Sequence, residues 1–292
     1  MYRTVLVPTD GSPGAQATID TAIDVAEAYD GAVHALYVVE TTVEPMGLDT
    51  AHAEELSRIS EQHGREATIT VADRAERRGL GATREVREGV PHRAIPTYAA
   101  EQGVDLIVMG THGRTGVDRA RLGSTTERVI ALADVPVLSV GLVDETDDTT
   151  SSGADWNRIL IPTDGSDAAE RAAERGVRIA EYRDADVHVA YVIDTSTYAL
   201  QDTPQSIIGL LTEGGRNAVE SVAAMARERG CSVTTTVRRG HPAAELLAYA
   251  SAIDADLLAM GTRGRSVESH PLLGSTTAQI VRRSPVPVLT SR

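Results

Sequence analysis

Apolar residues along this chain fall into short runs, set between longer stretches whose apolar positions follow helical spacing. In the first half, the strand candidates are Thr4–Val7, Ala32–Val39, Thr83–Arg87, Leu106–Met109 and Val137–Val140. The stretches between them predict helices near Ala15–Tyr29, Ala51–Gly79, Arg93–Gln102 and Thr125–Leu132, the second expected to break around His63-Gly64. Strands alternating with helices argue for a parallel sheet covered on both faces. Right-handed crossovers then favour a doubly wound strand order.

The pattern occurs twice. Thr4-Val5-Leu6-Val7-Pro8-Thr9-Asp10-Gly11-Ser12 returns as Arg158-Ile159-Leu160-Ile161-Pro162-Thr163-Asp164-Gly165-Ser166, an offset of 154 residues. The segment from Gly110 to Thr126 returns from Gly261 to Thr277 with nine of 17 positions identical. The identities lie at its two ends while the middle drifts, as anchored ends around a tolerant loop would. Each copy closes on a similar run, Val135–Val140 and Val286–Thr290. The period is too long for a solenoid, so this is a domain duplication. The expected division is a first domain over residues 1–143, a polar and acidic linker over 144–155, and a second domain over 156–292.

Composition narrows the function classes. With no Phe and one Trp, the core is expected to be built from Ala, Val, Leu and Ile. A lone Cys231 excludes an internal disulfide and any cysteine-rich metal cluster, and the eight His show no metal-ligand spacing. No apolar run approaches the length of a membrane span, so a soluble, cytoplasmic protein is the expectation. Acidic residues outnumber basic ones 42 to 28, a net charge of −14, and every strong base is Arg. That charge repels nucleic acid and anionic membranes. It fits a high-salt, halophilic adaptation, which would show as a melting temperature climbing from dilute buffer to molar KCl. A merely acidic, GC-biased composition is the competing explanation.

Ligands of open doubly wound sheets bind at the carboxyl ends of the strands, where the strand order reverses. Asp10 and Asp164 follow the first strand of each copy, and Gly110 and Gly261 follow the fourth. From Gly110 the loop is spaced G-x2-G-x9-G-S and runs into Ser124-Thr125-Thr126-Glu127. Glycines let a bulky anion approach backbone amides, and a helix start adds free N–H groups and a positive dipole end. A phosphate chain fits this arrangement, and its appearance at corresponding places in both copies strengthens the reading. Ser124 also fits a capping box, as N-cap with Glu127 three residues on. Asp10 suits the ribose hydroxyls or a phosphate-bound Mg²⁺. It equally suits an Asp-Gly turn onto a helix beginning at Ser12-Pro13. His112 lies inside the loop, but its counterpart is Arg263, which favours a polar loop residue or accessory phosphate contact over a catalytic base. Arg114 and Arg265 match between copies and suit either phosphate neutralisation or solvent. Val38 and Val192, near the end of the second strand, offer main-chain bonds to a base, whereas Val39 and Ile193 suit the core.

The P-T-D-G-S start, the Y-V-V-E or Y-V-I-D second strand and the G-x2-G-x9-G-S-T loop resemble the universal stress protein family in both copies, over nearly the whole chain. The resemblance implies an α/β fold of two tandem five-stranded parallel sheets ordered 3-2-1-4-5, adenine nucleotide α-hydrolase-like or Rossmann-like. It also implies the ATP-binding branch, which this loop marks. The contacts it implies for the nucleotide are Pro8, Thr9, Asp10, Val38, Met109, Gly110, Gly113, Gly123, Ser124 and Thr125. In the second copy they are Pro162, Thr163, Asp164, Val192, Met260, Gly261, Gly264, Gly274, Ser275 and Thr276. The second loop departs from the first by replacing Gly116 with Val267 and adding Pro271.

The leading expectation is therefore a regulatory or stress-response protein that holds ATP, with or without Mg²⁺, as a ligand in each domain. A slow ATP hydrolase or phosphoryl-transfer enzyme is the alternative. Against fast turnover stand the missing Walker lysine and the lack of any repeated Glu or His beside the loop. A third possibility, a dimerisation module that binds no nucleotide, is opposed by the intact loops. The last strand of each copy has the edge character that invites cover, so the two copies are expected to pack as a pseudo-twofold pair within the chain. A further homodimer is compatible with this.

Overall fold

The structure is a computed structural model of the chain and describes residues 1–12, 16–40, 50–111, 122–141, 155–195, 205–264 and 273–292. The chain divides into two compact units, Met1–Ala154 and Asp155–Arg292. The first unit runs β1 (Thr4–Pro8), α1 (Gln16–Ala28), β2 (Ala32–Glu40), α2 (Thr50–Arg77), β3 (Gly81–Gly89), α3 (Pro91–Glu101), β4 (Leu106–Gly110), α4 (Ser124–Leu132) and β5 (Val137–Val140). Its strands are ordered β3-β2-β1-β4-β5, every pair parallel. The second unit runs β6 (Arg158–Pro162), α5 (Asp167–Arg183), β7 (Asp186–Asp194), α6 (Gln205–Glu228), β8 (Val233–Gly240), α7 (Pro242–Ala252), β9 (Leu257–Gly261), α8 (Ser275–Arg283) and β10 (Val288–Ser291). Its order, β8-β7-β6-β9-β10, is again 3-2-1-4-5 in parallel.

The central strands carry consecutive apolar residues because helices cover both their faces. Val5, Leu6 and Val7 of β1 are essentially inaccessible to solvent, as are Ile159, Leu160 and Ile161 of β6. At the sheet edge, β3 is polar and half exposed, and it extends to Gly81 and Gly89 beyond the segment its sequence picks out. In the second unit Ser166 caps α5, its hydroxyl oxygen accepting from the Ala169 N–H at 3.3 Å. Asp167 and Glu170 in the first turn and Arg183 in the last turn complement the helix dipole.

Two expectations are corrected. Helix α2 does not break at His63-Gly64 but runs unbroken from Thr50 to Arg77. A Cβ at Gly64 would lie 2.5 Å from Cδ1 of the buried Tyr37, so the glycine lets α2 approach β2. Gly215 plays the same part in α6, where a Cβ would lie 2.8 Å from Cδ1 of Tyr191. Nor is the core purely aliphatic. Tyr2, Tyr37 and Tyr98 are among its largest fully buried side chains, and Trp156 is buried in the second unit. Two tyrosines offset the burial of their hydroxyls by pairing with a histidine. Tyr98 pairs with His34 Nδ1 at 3.0 Å, and Tyr249 with His188 Nδ1 at 3.1 Å.

Candidate nucleotide site

In each unit the chain leaves the first strand and moves to one side, while the fourth strand pairs on the other side. The loops following these two strands therefore open at the point where the strand order reverses. The first loop is an Asp-Gly turn in both units. Thr9 N–H donates to the Leu36 carbonyl at 2.9 Å, and the Thr9 hydroxyl oxygen accepts from the Gly11 N–H at 3.2 Å. Asp10 Oδ1 accepts from the Ser12 N–H at 2.9 Å. Gly11 sits at φ +74°, a left-handed conformation that favours glycine. The second unit repeats each element: Thr163 N–H to the Ala190 carbonyl at 2.9 Å, Gly165 N–H to Thr163 Oγ1 at 3.1 Å, and Ser166 N–H to Asp164 Oδ1 at 3.0 Å, with Gly165 at φ +73°. The turn role of Asp10 and Asp164 is thus present in the structure. It occupies Oδ1 and is compatible with a ligand role for the carboxylate.

The glycine loop is pinned at both ends. Thr111 N–H donates to the Val140 carbonyl at 3.0 Å, tying the loop start to β5, and Gly123 N–H donates back to the Thr111 carbonyl at 2.9 Å. From the first turn of α4, the buried Thr126 hydroxyl donates to the Gly110 carbonyl at 2.8 Å. The matching bonds are Thr262 N–H to the Ser291 carbonyl (3.0 Å), Gly274 N–H to the Thr262 carbonyl (2.9 Å) and the Thr277 hydroxyl to the Gly261 carbonyl (2.9 Å). These bonds hold the end of the fourth strand against a helix start. The capping-box expectation is corrected here. The N-cap is Gly123, Ser124 is already helical, and no side chain caps the helix; Gly274 and Ser275 are the same. The serine is displaced by one position because the loop returns to Thr111 through the N–H of the glycine. Ser124 and Ser275 are consequently exposed at the positive end of a helix whose first N–H groups face outward.

In the first unit these features enclose a cleft of about 450 Å³, within the size range of small-molecule sites. Pro8, Thr9, Asp10, Val38, Met109, Gly110, Gly123, Ser124 and Thr125, all named by the sequence, line it; Gly113 lies outside the described residues. Tyr37 forms part of the wall, and Ser60, Pro91 and Ile95 reach in from α2 and α3. In the second unit the Asp turn and the glycine loop also converge: a Cβ on Gly264 would lie 2.5 Å from Asp164 Oδ2. Val38 and Val192 are half buried, whereas Val39 and Ile193 belong to the core. No group of three or more potential metal ligands occurs among the described residues. Among the same residues, no helix is long and apolar enough to cross a membrane.

The model of the Universal stress protein family matches residues 1–141 and again 155–292. The chain belongs to the universal stress protein family. A universal stress protein of Methanocaldococcus jannaschii is 42% identical over 142 residues, 48% of this chain and 82% of the relative. One from Synechocystis is 25% identical across 99% of this chain and all of its own length, so this relative shares the tandem organisation. The crystal structure of a universal stress protein from Archaeoglobus fulgidus superposes with a TM-score of 0.72 at 24% identity, covering 99% of this chain and 96% of that one. It shares the fold.

The site residues that motif reading missed are of two kinds. Thr126 and Thr277 are identical between the copies and sit in the repeated G-S-T-T, so the repeat itself carried a usable signal. Ser60 and Ile95 come from distant helices and correspond to Leu211 and Leu246, so nothing in the repeat marked them. His112, Arg114, Gly116, Arg265, Val267 and Pro271 lie outside the described residues.

Proposed function

We propose that each half of this protein binds an adenine nucleotide, ATP foremost, as a regulatory ligand. On this reading the phosphates lie over the N-termini of α4 and α8, and the base lies beside Val38 and Val192. One observation carries the proposal: an Asp turn, a glycine loop pinned by threonine, and an uncapped helix start open into one cleft at the strand-order reversal. Asp10 and Asp164 supply the carboxylate for the ribose or for a Mg²⁺ carried by the phosphates. The exposed serines add hydroxyls beside the outward-facing N–H groups. Family membership and the doubled architecture support a stress-response role exercised through nucleotide occupancy.

Isothermal titration of the wild type, Gly123→Leu, Gly274→Leu and the double variant tests this. The expected stoichiometries are two, one, one and zero ATP per chain. Gly123 has φ −60° and ψ 132°, open to any residue, so Leu acts by filling the space of the phosphates and not through backbone strain. At Gly274 a Cβ would meet the Thr262 carbonyl oxygen at 3.2 Å, so the melting temperature of each unliganded variant is measured alongside. Ligand at about 100 times its dissociation constant stabilises the native state by about 2.7 kcal/mol, a melting shift of roughly 5–10 °C. Mass spectrometry of nucleotide released on denaturation identifies the natural ligand. Unchanged stoichiometry in a folded double variant would make the glycine loops structural and overturn the proposal.

A further inference from the structure

Helix α2 reaches the candidate site of the first half from the side. Ser60 lines the cleft, and His63, three residues on and on the same face, sits against the Asp turn. His63 Nε2 donates to the Asp10 carbonyl oxygen at 3.2 Å, the carbonyl being able only to accept. The turn is pressed onto the same helix. A Cβ on Gly11 would overlap the His63 imidazole and lie 3.3 Å from the Ala67 Cβ. Tyr37, buried in β2, backs the imidazole edge-on. The second half keeps the turn, with Gly165 N–H on Thr163 and Ser166 N–H on Asp164, and lacks this tether. Helix α6 has Gly214 where α2 has His63, and Leu211 where α2 has Ser60. An added Cβ at Gly214 would meet nothing within 4 Å.

We infer that His63 is a positioning residue of the first site, fixing the Asp10 turn for the sugar of the nucleotide and making the first half the more sugar-dependent of two unequal sites. This rests on the reading that each half binds a nucleotide. Strand order supplies the place of the sugar, because β1 lies between β2 and β4. With the base beside Val38 at the end of β2 and the phosphates over α4, which follows β4, the sugar joining them passes the turn after β1. There the Asp10 carboxylate accepts from the sugar hydroxyls. His63 acts through Asp10 and not on the ligand. It holds the Asp10 peptide before binding, so less order has to be acquired when the hydroxyls arrive. The second half makes the same contact from a turn without this tether.

The test uses the full chain with the second site disabled by Gly274→Leu, titrated with ATP and with 2′,3′-dideoxy-ATP, which lacks the sugar hydroxyls. In this background His63→Ala is expected to weaken ATP roughly three- to tenfold, the range of one hydrogen bond, and to leave dideoxy-ATP within about twofold. His63→Gln is expected to restore most of the ATP affinity, because its amide N–H donates where the imidazole did. In the Gly123→Leu chain, which reports the second site, loss of the hydroxyls should cost less affinity than in the Gly274→Leu chain. Should Gly274→Leu not fold, the His63 variants are compared in the otherwise wild-type chain, where first-site binding alone responds to them. Equal losses for both ligands would mean that His63 only packs α2 onto the turn. No loss of ATP, no rescue by Gln, or an equal cost of the missing hydroxyls in the two halves would also overturn the inference. All four outcomes leave nucleotide binding standing. Failure of a folded Gly274→Leu chain to bind either ligand removes nucleotide binding in the first half and this inference together.

Discussion

His63 Nε2 on α2 lies 3.2 Å from the Asp10 carbonyl oxygen, and its ring meets Tyr37 edge-on at 5.9 Å. A carbonyl only accepts, so that nitrogen carries the proton. At the corresponding position α6 has Gly214, where an added side chain would meet nothing within 4 Å. One residue further along, both helices carry a glycine pressed against a tyrosine, Gly64 on Tyr37 and Gly215 on Tyr191. The same selectivity recurs around the site. The bonds that shape the backbone are duplicated almost to the tenth of an ångström: the Asp turn, the threonine on the strand-end carbonyl and the closing bond of the glycine loop. Side chains that only border the site have diverged: Ser60 corresponds to Leu211 and Ile95 to Leu246. Duplication kept the frame, and the surroundings of the two sites were free to diverge.

The largest expected effect separates the adjacent glycines. Gly64→Ala and Gly215→Ala should each destabilise their unit by about 1–3 kcal/mol, because the new methyl overlaps a tyrosine ring. Gly214→Ala, in open space, should stabilise α6 by roughly 0.5–1 kcal/mol through helix propensity. Urea unfolding of the three variants checks the signs, and a neutral Gly64→Ala would contradict the close approach of α2 to β2. A smaller effect tests the frame itself. Thr126→Val and Thr277→Val keep the side-chain volume but leave the carbonyls of Gly110 and Gly261 without their donors, costing about 1 kcal/mol each. Each should weaken ATP in its own half only. Clearly unequal losses of stability would show that the two frames are less alike than their distances.

The smallest effect concerns the pairs His34–Tyr98 and His188–Tyr249. Burial pushes both imidazoles below their ordinary value, against the opposing pull of Glu85 on His34 and of Asp186 on His188; Arg158 adds to the depression of His188. The folded state therefore favours neutral rings, and the unfolded chain binds more protons between the depressed folded value and about 6.5. This contribution is complete above about pH 6.5 and is lost as pH falls below it. The urea midpoint of the wild type, relative to a His34→Gln/His188→Gln variant, should drop by a similar amount per half between pH 7.5 and 5.5. A wild-type midpoint that rose relative to the variant on lowering the pH would reverse the assignment.

What could be read from the residues followed the range of the forces involved. β1, β4, β6 and β9 announce themselves because a strand buried on both faces is apolar at successive positions. The edge strand β3 is polar and only half covered, so just its centre stood out. Gly64 was misread because its reason, the ring of Tyr37, lies 27 positions away in sequence and next to it in space. Ser124 was misplaced by one position because S-T-T-E satisfies a capping pattern whether the serine is N-cap or first helical residue. Only the return bond from Gly123 to Thr111 decides between the two. The Asp turns and loop glycines were visible because the chain states them twice. The contributions of α2 and α3 to the cleft depend on how helices settle on the sheet, which local pattern does not encode.

The 2.9 Å bond from Gly123 to Thr111, repeated from Gly274 to Thr262, has a bearing on chain length. It brings the two ends of the excursion together beside the sheet, so the positions between them can change in number without moving β4 or α4. The entropy of closing a loop grows only logarithmically with its length, about 0.6 kcal/mol for each doubling. A foreign peptide inserted between Thr111 and Gly123 would thus begin and end at nearly the same point, against the N-terminus of α4. The fold offers that point as an insertion port, at which a peptide epitope or a second small domain could be spliced into either half with the sheet left intact.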